Sequence, residues 1–463
     1  MSSGTILKIE KLKERIFGLI HAIIGWPQID IEHAKAVEAI KRFMFFGKLL
    51  LVYQPHPNAD HPVPPTKWFS YLSVTIDLCT LTTVIRLICC FLTNNLLTLA
   101  YMGDIFIGMR NAYALRLLAV CGIICLGGFR AVSCYLIRNG SLDWTKVIDK
   151  AMINGWKPEV LNMKELYCLK WRQTSVFIAR QIVGTSLIVA SIWITCFLYL
   201  MFSSTAFYLA LQNAFIAAVW ITCWVCLTIN CATFNLTLQS PLVASLFTLW
   251  QAIALISVIW FVPQVAWIAF LYGIAFFYVI NKSNSVYSDL RAALKLKRMR
   301  SLALKKLYNQ NILFLNEFDY INRLMRYIGY SGYTLVSLAG QVAMLYSYLG
   351  LFGMPLADLG LGIIGCNTIF QIGLSSFLAA KSVSKIGLSY SHYHRIYQNN
   401  INIETRLKLN FLYNLDRLSS PFVGFWVGDS FMNDNFAFIQ YLFETCSNMM
   451  LIIVTMSNFI WQN

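Results

Sequence analysis

Eight stretches of this chain are long and apolar enough to dictate everything else it can fold into: 71–99, 112–137, 176–202, 206–232, 242–280, 330–350, 360–380 and 436–461. A helix needs roughly 20 mostly apolar residues to cross a bilayer. Of 463 residues, 58% are hydrophobic and 13% charged, about half the charged share usual for a soluble domain. A soluble protein of this size would bury one or two cores and solvate the rest, and the polar residues for that are missing. The fold class expected is therefore all-α, a polytopic membrane protein embedded in a lipid bilayer.

The net charge of +16 raises the question of nucleic acid, and the placement of the charge answers it. Lys and Arg number 9 before the first span, 7 in 138–175, 10 in 281–329 and 6 in 381–421, which is 32 of 37. Connectors 203–205 and 351–359 carry none. Such asymmetry is the positive-inside pattern, so the four basic segments are expected in the cytosol and no nucleic-acid partner is expected. The 13 Cys residues fall mostly in the spans, where Cys packs as a small apolar side chain. Cys223 and Cys226 have zinc-like spacing, but no second pair or His lies near them in sequence.

The chain divides into a cytosolic N-terminal region (1–70), helices 1–6 with basic cytosolic loops (71–421) and a last helix (422–463). Residues 16–26 read as an amphipathic helix on or near the bilayer, and 54–65 as a rigid turn with five prolines. Leucines spaced among basic residues in 281–329 indicate a helix extending below the membrane, and 381–421 reads similarly. The loops flanking 176–280 are both cytosolic, so an even number of crossings lies between them. Two crossings give seven overall, with the N-terminus cytosolic and the C-terminus extracellular. Four give nine and require 242–280 to turn at Val262-Pro263, exposing backbone to lipid. Seven is preferred.

No phosphate-binding Gly loop, H-E-x-x-H or G-x-S-x-G motif occurs, and neither an enzyme nor a cofactor is expected. His392 and His394 point to different helix faces. Ionisable residues inside spans cost at least roughly 2.5–3.5 kcal/mol each, so each needs a reason. Arg116 and Arg180 lie near span ends and can snorkel. Asp77 and Arg86 lie on opposite faces of one helix, so each is expected to bond a neighbouring helix, and Arg130 is a further charge inside a span. Glu444 sits about two turns into the last span with Thr445, Ser447, Asn448, Thr455, Ser457 and Asn458. A lipid-facing helix would not tolerate that row: it is either buried at a bundle centre or lines water. Around an axis, Glu444 would form an acidic ring with Asp434 and Asp429 below it, an arrangement that favours cations.

Three further segments carry a family resemblance. Residues 39–57 (AIKRFMFFGKLLLVYQPHP), followed by Trp68-Phe69-Ser70-Tyr71, resemble the entry segment of arthropod gustatory receptors, in the insect chemoreceptor superfamily. Phe318-Asp319-Tyr320-Ile321-Asn322-Arg323-Leu324 resembles the end of that family's second intracellular loop. Pro421-Phe422-Val423-Gly424-Phe425 and Gly428-Asp429-Ser430-Phe431-Met432, leading into the last span, are similar to its closing block. The family's last span usually carries Thr-Tyr, five apolar residues and Gln-Phe. Here Leu451, Ile452, a mixed 453–457, Asn458 and Phe459 stand there, marking a divergent member. The resemblance implies a plasma-membrane, ligand-gated, non-selective cation channel of four like or related subunits. It would be opened by a small-molecule tastant or odorant and would pass monovalent and divalent cations. Glu444, Ser447, Asn448, Thr455 and Asn458 would line the pore, with Asp429 and Asp434 at the cytosolic mouth and Asn458 at the outer constriction.

Two other readings compete. A G-protein-coupled receptor would invert the orientation and lacks Asp-Arg-Tyr and Asn-Pro-x-x-Tyr here. A secondary transporter would normally carry an internal repeat.

Overall fold

The apolar stretches fold as helices, and several outrun any bilayer. The computed structural model describes residues 33–52, 67–104, 106, 111–138, 148, 156–180, 241–296, 299–350, 355–400, 404–420 and 423–462. The helix expected at 16–26, the prolines of 54–65, Cys223, Cys226 and most of spans 176–202 and 206–232 lie outside them. The described helices are α1 (His33–Leu49), α2 (Lys67–Cys89), α3 (Leu96–Tyr101), α4 (Ala112–Arg138), α5 (Pro158–Leu161), the helical stretch 165–180, α6 (Pro241–Leu294), α7 (Ser301–Ser331), α8 (Ser337–Tyr348), α9 (Pro355–Asn399), α10 (Thr405–Ser419) and α11 (Asn435–Gln462). One two-stranded antiparallel hairpin, β1 (Trp426–Val427) with β2 (Phe431–Met432), joins the last two helices.

Among the described residues, four helices meet the length and apolarity needed to cross a membrane: Tyr71–Cys89, Ala112–Ile137, Pro263–Leu294 and Asp358–Asn399. At about 1.5 Å per residue, the 54 residues of α6 run about 80 Å, against a hydrocarbon core of about 30 Å. The turn required by the nine-crossing reading does not form, because α6 continues unbroken through Pro263. Next to that proline, Gln264 is fully buried, accepts from Arg130 Nε and donates to the Leu50 carbonyl at 2.6 Å. Neighbouring elements thus grip the helix where its own ladder is interrupted, as membrane-embedded prolines require.

Segment 281–329 is helical except near 295–300, and 381–399 belongs to α9. Both stretches, read from their leucine spacing as helix extending beyond the spans, carry a core of their own. Lys282 pairs with Glu317 and donates to the Tyr278 hydroxyl at 3.0 Å. Trp171 donates to the Ile274 carbonyl at 3.1 Å and packs on Trp156 and Tyr278. Tyr393 stacks on Phe411 at 4.6 Å. The 156–175 part of the segment 138–175, read as a polar loop, is folded against α6, where the Lys164 backbone donates to Ser285 Oγ at 2.8 Å. Asn281, in a glycosylation sequon, is buried inside α6 and donates to the Phe277 carbonyl.

Helix α1 shows how apolar spacing becomes docking. Ala36, Ile40, Phe43, Met44 and Gly47 form its buried face, while Lys35, Glu38, Lys41 and Arg42 point away. Phe43 stacks on Trp267, whose Nε1 donates to the Phe43 carbonyl at 2.9 Å. Gly47 permits the close approach, since a Cβ there would overlap the Trp267 ring. The entry segment is clamped to protein.

Between α7 and α8 the helix widens to one π-helical turn, Gly332–Val336. Such turns insert an extra residue and recur at functional sites.

Candidate functional site

The last helix departs from every other long helix in how little of it the chain covers. Ala437, Tyr441 and Thr445 are buried, one turn apart, and form its packing face. Glu444, Ser447 and Asn448 are exposed, alongside Phe443 and Met450. Positions 440, 444, 447 and 451 fall on one helix face, which 455 and 458 continue by register; Asn448 borders it. Glu444 is the only charged residue of α11. Its oxygen accepts from Gln440 Nε2 at 2.7 Å, a partner on the same helix. Burial at the centre of its own bundle, one of the two readings open to this helix, does not describe it. Thr455 and Asn458 lie on the helix, but their side chains are outside those described.

The hairpin fixes where α11 starts. Gly428 takes φ +60, and its N–H donates to the Arg326 carbonyl at 2.9 Å. Trp426 N–H donates to Asn322 Oδ1 at 3.1 Å. Phe425 is buried between Phe318 and Phe276, at 5.1 and 5.3 Å. Arg417, at the end of α10, pairs with Asp319. The 318–324 motif, with Arg326 just beyond it, and the closing block, read as separate motifs in the sequence, are thus partners in space. Beyond the hairpin, Tyr333 of the π-turn packs on Phe431 at 5.5 Å and on Tyr441 at 4.8 Å. The Tyr441 hydroxyl lies 3.3 Å from Ser337 Oγ.

The two acids expected at the mouth have local roles as well. Asp429 pairs with Arg326 at 2.8 Å while its side chain stays 70% exposed. Asp434 caps α11, its Oδ1 accepting from Ala437 N–H at 2.8 Å, where a negative charge also suits the helix dipole.

The other ionisable residues sort by depth. Asp77 pairs with Arg130, which also donates to Gln264, joining α2, α4 and α6. Arg86 does not meet Asp77: its Nη1 donates to the Gly103 carbonyl at 3.1 Å. Arg116 does not snorkel. It is 6% exposed, and its Nε donates to Asp104 Oδ2 at 2.8 Å, an ion pair inside the bundle at the end opposite the basic turn. His392 packs on Tyr287 and His394 on Tyr390, so the two point to different surroundings. The sequence reading missed Asp104, Arg326, Asn322 and Tyr441, because each acts through a partner distant in the chain.

Taken together, long helices, buried intramembrane ion pairs and an uncovered polar last helix define an all-α, polytopic membrane fold. No family model and no curated protein matches the sequence. Solved structures do match in fold. The insect olfactory receptor OR5 from Machilis hrabei, in complex with eugenol, superposes with a TM-score of 0.56 at 11% identity, covering 92% of this chain and 99% of that one. Another structure of the same receptor gives 0.55 at 10% identity, with the same coverage. The chain has the fold of that insect olfactory receptor over nearly its whole length.

Proposed function

We propose that this chain is a divergent chemosensory receptor of gustatory type, acting in the plasma membrane as a ligand-gated, non-selective cation channel built from four like or related subunits. The observation that carries this reading is the uncovered polar face of α11. A carboxylate, a hydroxyl and an amide at 444, 447 and 448 are costly against lipid, and within the chain they are not packed away. Around a four-fold axis they face water, with Glu444 as an acidic ring and Asp429 and Asp434 towards the cytosol. Thr455 and Asn458 continue the lining outward by register, Asn458 at the outer constriction. The olfactory receptor fold supports a small-molecule ligand, since the neighbouring structure holds eugenol. Seven crossings, a cytosolic N-terminus and an extracellular C-terminus follow from the basic segments. Coupling to a ligand would run from the bundle through the π-turn and Tyr441 into α11.

The test is patch-clamp recording of the expressed protein against a chemical panel. Cation current that Glu444→Gln alters in single-channel conductance supports the reading. Purified protein that stays monomeric in a mild lipid environment and conducts nothing overturns it. A G-protein-coupled receptor or a transporter gains no specific observation from this fold.

A further inference from the structure

We propose that the buried Arg86 guanidinium, at the end of the bundle opposite the α6–α7 turn that carries Lys295 and Arg300, binds a small monovalent anion: a halide or the carboxylate of an organic acid. Arg86 is 7% exposed. Its Nη1 donates to the Gly103 carbonyl, its guanidinium lies 5.7 Å from the centre of the Trp250 ring, and its Nε is buried with no hydrogen-bond partner. The carboxylate that acts on it is Asp104, and that carboxylate is already used. Asp104 is fully buried; Oδ2 accepts from Arg116, and Oδ1 accepts from Phe106 N–H at 3.1 Å. Among the described residues, two guanidiniums and one carboxylate therefore lie together in the interior, with one positive charge left over.

In sequence, the residues that follow Asp104 up to Arg116 contain no Asp or Glu and add a further cation, Arg110. Asp358, the other acid here, sits beside Gly350 at a different turn. An uncompensated buried ion costs several kcal/mol. The π-face of Trp250 and one carbonyl offset part of that, and a bound anion would offset the rest. The free Nε–H suits a carboxylate or a halide, since charge-assisted bonds to guanidinium are the strong ones. This deepens the receptor reading by naming a ligand chemistry, and binding is measured apart from conduction, so either idea can fail without the other.

The experiment uses the full-length protein in nanodiscs of zwitterionic lipid, with trifluoroacetate as the probe and 19F line broadening as the readout. Wild type should show saturable broadening, and Arg86→Gln should abolish it. Arg86→Lys keeps the cation and guards against misfolding; losing the fork should weaken binding about tenfold, the worth of one hydrogen bond to a charged group. Arg291→Gln, on the exposed side of α6 at the basic end, should bind like wild type. Competition identifies the source: displacement by chloride ahead of acetate and hexanoate marks a halide site, and the reverse order an organic-acid site. Non-saturable broadening in wild type, or unchanged affinity in folded Arg86→Lys, overturns the proposal.

Discussion

Helices α6 and α11 are both long and apolar, yet the chain treats them in opposite ways. On α6 two of the largest polar side chains are bound by other elements: Gln264 by Leu50 and Arg130, Lys282 by Glu317. The aromatic side chains of α6 are enclosed as well, with Trp267 and Tyr278 at most 1% exposed. On α11 the packing face is a single row, Ala437, Tyr441 and Thr445, and Glu444 finds its partner one turn back on the same helix. The difference teaches where each helix completes itself. The one inside the chain is a mast that other elements grip, while the one at the flank carries polar groups that only water or further subunits can satisfy.

The largest expected effect breaks the mast. Replacing the buried Lys282 with Met leaves the half-buried Glu317 with the Tyr278 hydroxyl but without its ion pair, a loss of about 3–5 kcal/mol. Thermal unfolding should show a large drop in midpoint, and surface delivery should collapse. If Lys282→Met expresses and melts like wild type, α6 is not held by that pair. Phe425→Ala comes close behind. It empties the slot between Phe318 and Phe276, and Phe→Ala in a core costs about 3–5 kcal/mol. Here the damage should fall on the junction between the two regions, loosening the hairpin from α7 before the rest of the bundle.

A smaller effect is expected at Gly428, which holds the left-handed turn of that hairpin. An Ala there adopts φ +60 at a cost of about 1–2 kcal/mol and brings its Cβ to 3.2 Å from the Tyr330 ring. Stability should fall modestly, and any gating current should shift more than expression does. Equal shifts in both would mean that the hairpin only holds the fold together and does not couple to the last helix.

What the sequence made legible divides along the same comparison. Apolar length located α2, α4, α8 and α11, most of α6 and somewhat under half of α9, because length and hydropathy are local properties. The extent of α6 was only partly legible, since leucine spacing in 281–329 marked a helix but not its continuity with the apolar span. Its apolar pattern stops near Ile280, whereas the helix continues to Leu294 on side chains that find partners only in the folded protein. A turn at Pro263 was set aside in the sequence for the backbone it would expose, and α6 does run through that residue, with Gln264 beside it bound to Leu50 and Arg130. Arg116 read as a snorkelling residue because its partner, Asp104, lies in a short connector with no pattern of its own. Asp434 was legible as a cap, an Asp just before an apolar run, but was read as a mouth residue; its geometry serves the cap. The Glu444 row was visible from residue types alone. That the row is left uncovered was not, because exposure depends on how the whole bundle closes.

The smallest effect on folding is expected at Glu444, and it sharpens the comparison most. Glu444 is exposed and bonded within its own helix, and surface substitutions of this kind shift stability by about 0.5 kcal/mol or less. Glu444→Gln should therefore melt and reach the surface like wild type, unlike Lys282→Met. If α11 lines a four-fold pore, the function should change nonetheless. Four carboxylates about 8 Å from an axis attract a monovalent cation by about 2 kcal/mol in water, and about 0.8 kcal/mol after physiological screening. That concentrates cations about fourfold at the ring, so Glu444→Gln should lower single-channel conductance by up to that factor and relieve divalent block. Glu444→Lys should cut cation current further, because its ring repels the permeant ion. A well-expressed Glu444→Gln channel with unaltered conductance and selectivity would remove α11's polar face from the pore. The row would then be a seam between subunits, with Glu444 held to a neighbour's side chain, and Glu444→Gln would instead weaken assembly, seen as a shift from tetramer to monomer by mass photometry in nanodiscs.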